Sequence, residues 1–434
     1  MPNSLFQQKA NIERWPVTIE KRQGHQLTLG DMHSNALKFL YILTLHGFLD
    51  THADNYALFS HFYRTIQGGD YTREQIDSFH HLLAKTTLNN VSKLLLLGDE
   101  LGDRGANDIL ILLLLDRLAA GQIPVEILLS NHGFEFINAY ETKADFLPSF
   151  MGEDCTRSLH ALNTLVENKI VTREEIINLV NRVYKPALKL LSYSLDPTTG
   201  GITLYSHAPI GIQNIRDIAT KLGVSYQDHT PLALAQTIEN INHAFTNYFV
   251  KPNIVHILVP ENEIGNPHYD PDPVVNAVRN LIWNRDYKSL KREPLHRGYP
   301  VDFVHGHDFD GETHNNIYNL NNELGFSDHC NQRTHTVLYT QGKKISELSA
   351  DERLRLDTPF DQVRDADSPS PSSDAPEPEP ESKSESESES ESESESESES
   401  ESESESVSPA LAWLPGNMMN ALKKLGFTAK KKDP

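Results

Sequence analysis

The chain has 434 residues, a formal net charge of −22 and only two cysteines, Cys155 and Cys330, which is long enough for more than one domain and too few cysteines for a disulfide framework. The acid excess is uneven: residues 361–406 hold 18 Asp and Glu against two Lys and Arg, residues 407–434 hold five Lys against one Asp, and the first 360 residues are left near −10. A mildly acidic body without a basic field argues against a nucleic-acid partner, the polar start carries no secretory leader, and the longest apolar run, residues 109–115, is too short to cross a bilayer. A soluble protein made in a reducing cytoplasm is expected.

The first 360 residues alternate short apolar runs with longer stretches of helical period, the pattern of an α/β layered domain. Strands are expected at 26–29, 93–97, 125–129, 202–205 and 301–304, each running into a polar cluster of Asp, Asn or His. Thr72 with Gln75 and Thr172 with Glu175 form two capping boxes, followed at helical spacing by Ile76, Phe79, Leu82 and Leu83 and by Ile176, Val180 and Val183. Pro186 should end or kink the second of these helices. Residues from about 145 to 200 are expected to be a mostly helical insertion beside the site. From 361 to 408 the chain turns to Asp, Ser, Pro and Glu, with strict Ser-Glu alternation over 384–406; it has nothing apolar to bury and is expected to be a disordered acidic linker. Residues 409–434 carry Leu411, Trp413, Leu414, Met418, Met419, Leu422, Leu425 and Phe427 among lysines, a basic amphipathic segment suited to a membrane surface or a partner groove.

The chemistry lies in the five clusters: Gly30-Asp31-Met32-His33-Ser34-Asn35, Gly98-Asp99-Glu100-Leu101-Gly102-Asp103-Arg104-Gly105, Ser130-Asn131-His132, Tyr205-Ser206-His207-Ala208 and Val304-His305-Gly306-His307-Asp308. Singly, each reads as an ordinary turn or a structural histidine. Together they place carboxylates, imidazoles and an amide oxygen at five strand ends, where the chemistry of open α/β sheets collects. Such a mixed oxygen and nitrogen set suits manganese, iron or zinc. Two ions about 3.5–4 Å apart need a carboxylate between them, and Asp99 is the natural bridge.

The ordered set resembles the calcineurin-like metallophosphoesterases over residues 25–340, and within them the phosphoprotein phosphatase branch with its Asp-Arg-Gly element. The resemblance implies a layered β-sandwich flanked by helices and two divalent metal ions, manganese foremost, with a hydroxide bridging them. It implies that Asp31 and His33 hold one ion, that Asn131, His207 and His307 hold the other, and that Asp99 bridges. It also makes His132 the general acid oriented by Asp103, and Arg104 a phosphate-binding residue. The Trp283-Asn284-Arg285 stretch resembles a Trp-x-Arg element, so Arg285 is the second phosphate-binding residue, with Arg292 and Arg297 as alternatives. The Gly-His step favours His307 over His305 as the final ligand.

The departures are specific. Asp99 and Asp103 are four residues apart where the family has three, which makes Gly102 an inserted residue; Ser130 replaces a glycine, and Gly133 replaces the Glu after the histidine, with Glu135 two residues on. Phe309, where phosphodiesterase members carry a second histidine, points to monoesters. The implied activity is a protein phosphatase acting on phosphorylated side chains, serine and threonine first. A tyrosine-specific phosphatase, a dinucleotide polyphosphate hydrolase and a pseudo-phosphatase scaffold are the alternatives. The layout of phosphatase, Ser-Glu tract and basic-amphipathic end is also similar to the Wip-type effector phosphatases that intracellular bacteria inject into host cells by type IV secretion, which implies export and attachment to a host organelle. Removing residues 365–434 is expected to leave kcat/KM for a small phosphate ester within about twofold while changing localisation; loss of turnover would place the tail in the catalytic domain.

Overall fold

The computed structural model describes residues 3–9, 11–12, 14–17, 24–65, 71–89, 93–106, 108–141, 157–250, 254–258, 273–286, 288–308, 313, 315–322 and 334–359. The Ser-Glu tract, the amphipathic C-terminal segment, Cys155, Cys330, Phe309 and the opening of the expected insertion lie outside them.

In chain order the strands are β1 (Ser4–Lys9), β2 (Gln26–Leu29), β3 (Leu49–Asp50), β4 (Thr87–Leu88), β5 (Lys93–Leu96), β6 (Val125–Leu128), β7 (Leu188–Lys189), β8 (Ser192–Asp196), β9 (Gly201–Tyr205), β10 (Leu295–His296), β11 (Tyr299–His305), β12 (Ile317–Asn319) and β13 (Thr334–Thr340). Six form one sheet in the order β1-β13-β2-β5-β6-β7, and a second has the order β10-β11-β9-β8 with β12 on β11. β2, β5 and β6 run parallel in the first sheet, and β9 and β11 run parallel in the second. Their C-terminal ends are where the five polar clusters begin, so topology alone gathers those clusters.

Two helices are apolar all round and correspondingly buried. Every residue of Ala36–Leu45 is buried, Lys38 and Thr44 included, and Asp108–Ala120 is buried from Asp108 through Leu115 and again at Leu118. Their side chains belong with those of β2, β5 and β6 to one large core. A second, smaller apolar cluster takes Leu95, Leu97, Leu128 and Leu338 from the six-stranded sheet and Tyr205, Val304 and Leu320 from the other. Above it the Tyr205 hydroxyl reaches Thr340 Oγ1 and Ser194 Oγ, each at 3.0 Å.

Both capping boxes are present at Thr72 and Thr172. The helical stretch ends sooner than the sequence suggests. Helix Arg157–Glu167 is followed by Arg173–Leu179, a π-helical turn Val180–Tyr184 and a 3₁₀ turn Lys185–Ala187 containing Pro186; β7 and β8 then follow. Pro186 offers no N–H to extend the helix. The stretch after it is buried on both faces, so its apolar residues carry no period that separates strand from helix.

β13 is tied to the first polar cluster by Asn322. Its Nδ2 donates to Gly30 O at 3.1 Å and Thr336 O at 2.9 Å, and its Oδ1 accepts from Thr336 N at 2.6 Å. At about 1 kcal/mol net for each bond, Asn322→Ala is expected to lower unfolding stability by roughly 2–3 kcal/mol in urea titration. An unchanged midpoint would show that the β13 register does not depend on this side chain.

Candidate metal centre

The parallel strands end one beside another, and the residues after them turn inward at a conformational cost. Nine described non-glycine residues have positive φ, and five lie here: Asp31 (53°), His33 (52°), Ser34 (59°), Asp99 (59°) and His307 (64°). Left-handed backbone costs such residues about 1 kcal/mol or more each, and it persists only where surrounding bonds enforce it. His33 N donates to Asp99 O at 2.7 Å, and Gly105 N donates to His33 O at 2.9 Å. Asp99 N donates to Ser130 Oγ at 2.9 Å.

Asp99, His207 and His307 bring donor atoms within 4.8 Å of one another, and so do His33, Asp99 and Asp103. Asp99 belongs to both groups, and all five residues are buried. Asn131 joins the first group, with Oδ1 2.8 Å from His207 Nε2. Asp31 joins neither; its carboxylate accepts from His307 N at 3.1 and 3.3 Å. That approach needs Gly306, because a Cβ there would lie 2.0 Å from Asp31 Oδ2. Asp103, expected only beside His132, stands in the second group through its contact with His33 Nδ1, while His132 Nε2 is 3.4 Å from the same Asp103 oxygen.

The ring orientation of His207 is set by Leu97. A carbonyl can only accept, so His207 Nδ1 is the donor to Leu97 O at 2.8 Å, and burial lowers the ring's pKa and favours the neutral form. Its Nε2 then carries a lone pair, facing Asn131 Oδ1, His307 Nδ1 at 3.1 Å and Asp99 Oδ1 at 3.6 Å. Acceptors turned on one another at these distances suit a cation between them. Asp99 Oδ1 is buried without a hydrogen-bond partner, which is costly unless such an ion is bound. The donor set therefore fits divalent metal ions.

The charges agree with that fit. Burial, reinforced by the Asp99 charge, pushes the Asp31 carboxyl well above the usual carboxylate range. Burial acts the same way on Asp99, but the His207, His132 and His33 rings outweigh it and hold this carboxyl below its ordinary value. Burial likewise opposes the Asp103 charge and is overcome by His132, His33 and Arg104, so its pKa falls. Burial first, then Arg285 and His207, drive His307 well below the usual imidazole range.

Two arginines border the centre. Arg104 Nη1 donates to Asp103 Oδ1 at 3.0 Å, and Arg285 Nη1 donates to His307 O at 3.2 Å. The Trp283 ring meets His307 edge-on at 6.2 Å, so both ends of the Trp-x-Arg stretch address this ligand. The alternatives are occupied elsewhere: Arg292 on His305 Nε2 at 3.2 Å and Arg297 on Asp228 at 3.0 Å. His305 is the last residue of β11 and belongs to neither donor group.

The second cluster makes a left-handed turn at Gly102. Gly102 has φ +76°, and a Cβ there would lie 2.8 Å from His132 O. Its carbonyl is 3.1 Å from His132 Nδ1. Three residues hold this loop, and of them only Ser34 stands in one of the five polar clusters. Gly102 N donates to Asp108 Oδ1 at 3.1 Å, Asp103 N donates to Ser34 Oγ at 3.3 Å, and Ser158 N donates to Asp103 O at 2.8 Å. Asp108 had one legible signal, an acidic residue opening a helix; Ser158 had none.

A family model described as WipA-like, phosphatase domain, matches residues 93–326. Among solved structures, the phosphatase domain of the Legionella effector WipB is 31% identical, with 68% of this chain and 100% of that one covered and a TM-score of 0.58. No curated protein matches.

Because Asp31 is held beside Asp99 and Asp103 in a buried site, Asp31→Asn is expected to leave the metal-free melting temperature equal or higher and to abolish the rise produced by manganese. A metal-free variant that melts well below the parent, or one that keeps the manganese response, would contradict this reading of Asp31.

Proposed function

The chain belongs to the WipA-like phosphatase family, and from that premise we propose that it is a metal-dependent phosphomonoesterase acting on phosphorylated protein side chains, serine and threonine first. The observation that carries the proposal is the pair of donor groups sharing Asp99. In this reading Asp31 and His33 hold one divalent ion and Asn131, His207 and His307 the other. Manganese is the first choice, and the mixed donors also suit iron or zinc. Bound there, the two ions supply Lewis acidity and a nucleophilic hydroxide.

The chain's own groups do the rest. Arg104 and Arg285 grip the phosphoryl oxygens, for which planar guanidinium forks are suited. Fixed positive groups where charge develops in the transition state are the main catalytic resource of phosphoryl transfer. His132, with Nε2 beside Asp103 and Nδ1 beside Gly102 O, supplies the proton to the departing alkoxide. Asp103 acts twice here, orienting both His132 and His33.

The layered β-sandwich reading of the fold is supported by the apolar cluster drawn from both sheets. The likeness to a Legionella effector, together with the Ser-Glu tract and the basic amphipathic end, supports an effector injected into a host cell by type IV secretion and attached to a host organelle surface. Among the described residues no helix is long and apolar enough to cross a membrane.

Manganese-loaded protein is expected to release phosphate from phosphoserine and phosphothreonine peptides at least tenfold faster than from phosphotyrosine peptides, with the metal-free protein inactive on all three. Preference for phosphotyrosine would overturn the substrate assignment, and full activity after metal removal would overturn the mechanism.

A further inference from the structure

Two of the sequence departures sit back to back behind Asp99. Ser130 Oγ accepts both Asp99 N and Gly133 N, each at 2.9 Å. A Cβ on residue 133 would lie 2.9 Å from that same oxygen and 2.9 Å from the Tyr184 hydroxyl. The missing side chain at 133 therefore leaves room for two oxygens brought from elsewhere. Tyr184 comes from the π-helical turn Val180–Tyr184, a local irregularity that often marks functional positions. Its hydroxyl donates to Glu100 Oε1 at 2.5 Å, and both side chains are fully buried. Glu100 is the residue after Asp99. The Tyr184 ring also packs edge-on against Phe136 at 5.8 Å, and Phe136 Cβ is in turn one of the nearest atoms to the open side of Gly102.

We propose that Tyr184 and Glu100 are positioning residues which, with Ser130 and Gly133, form one unit that sets the left-handed backbone of Asp99 and thereby the placement of the shared carboxylate. The unit replaces, with a tyrosine from the inserted helical segment, the support that a side chain at position 133 is expected to give in the resembled motif. The inserted segment then has a duty at the metal centre as well as beside it. Buried groups that orient metal ligands in this way typically change metal affinity or turnover 10–100-fold when removed.

The inference rests on the metal-centre reading, and the experiment separates the two. Full-length parent, Tyr184→Phe, Glu100→Gln and Glu100→Leu are titrated with Co(II), following the visible absorption of the bound ion, and kcat and KM are measured with para-nitrophenyl phosphate. Tyr184→Phe and Glu100→Leu are expected to weaken Co(II) binding about tenfold, to alter the spectrum, and to lower kcat about tenfold with KM within twofold. Glu100→Gln, whose amide oxygen still accepts from Tyr184, is expected to stay within about threefold of the parent. Gly133→Ala should impair the parent but add no further loss in a Ser130→Gly/Tyr184→Phe background, where both nearby oxygens are gone. Parent-like binding and spectrum in Tyr184→Phe and Glu100→Leu would overturn this inference alone. A parent protein that takes up no Co(II) would overturn the metal centre and the inference with it. Should Tyr184→Phe fail to fold, the comparison of Glu100→Gln with Glu100→Leu decides, equal metal binding by the two being the contrary result.

Discussion

The centre of the molecule is a buried carboxylate. Asp99 is buried, one of its oxygens has no hydrogen-bond partner, and its backbone is left-handed. Each of these is unfavourable alone. Their coincidence at the residue common to both donor groups is what a site built for a cation looks like before the cation is considered. The Asp99 carboxyl lies below its ordinary value in spite of burial, and burial lowers the pKa of the His207 and His307 rings, both in the direction that ligand chemistry requires.

The two sheets matter because neither can make the centre by itself. β2, β5 and β6 deliver Asp31, His33, Asp99 and Asn131, whereas β9 and β11 deliver His207 and His307. The bond from His207 Nδ1 to Leu97 O crosses between them and also selects the tautomer that leaves Nε2 for the ion. The nearby apolar cluster of Leu95, Leu97, Leu128, Tyr205, Val304, Leu320 and Leu338 holds the sheets at the separation this bond needs. The buried helices Ala36–Leu45 and Asp108–Ala120 back the first sheet, so the loops that carry the ligands leave a rigid floor. Pre-organisation of this kind is the basis of electrostatic catalysis.

Strand ends and their clusters were legible because each is local: a short apolar run followed within three residues by Asp, Asn or His. The strand at 26–29 has the expected limits, and the strands at 93, 125, 202 and 301 differ by one or two residues at their ends. Gly102, which the motif spacing marks as additional, has a left-handed φ that favours glycine. What escaped were relations made by the fold. Nothing in the sequence around Ser158 announces that its backbone N–H will hold the Asp103 carbonyl. The membership of Asp103 in a donor group with His33, in place of Asp31, arises from how the enlarged loop is folded back by Asp108 and Ser34. β1 and β13 pair with each other from opposite ends of the described chain, a contact that no local period encodes. The strands after Pro186 were read as helix because burial on both faces erases the alternation that distinguishes a strand.

The proposed chemistry depends on Asp99 being shared between two ions. The most direct measurement is electron paramagnetic resonance of the manganese-loaded protein together with its metal content per chain. Two ions per chain with an exchange-coupled spectrum are expected for the parent, and Asp99→Asn should lose the coupled signal. Two magnetically isolated ions in the parent, or a coupled spectrum that survives Asp99→Asn, would contradict it.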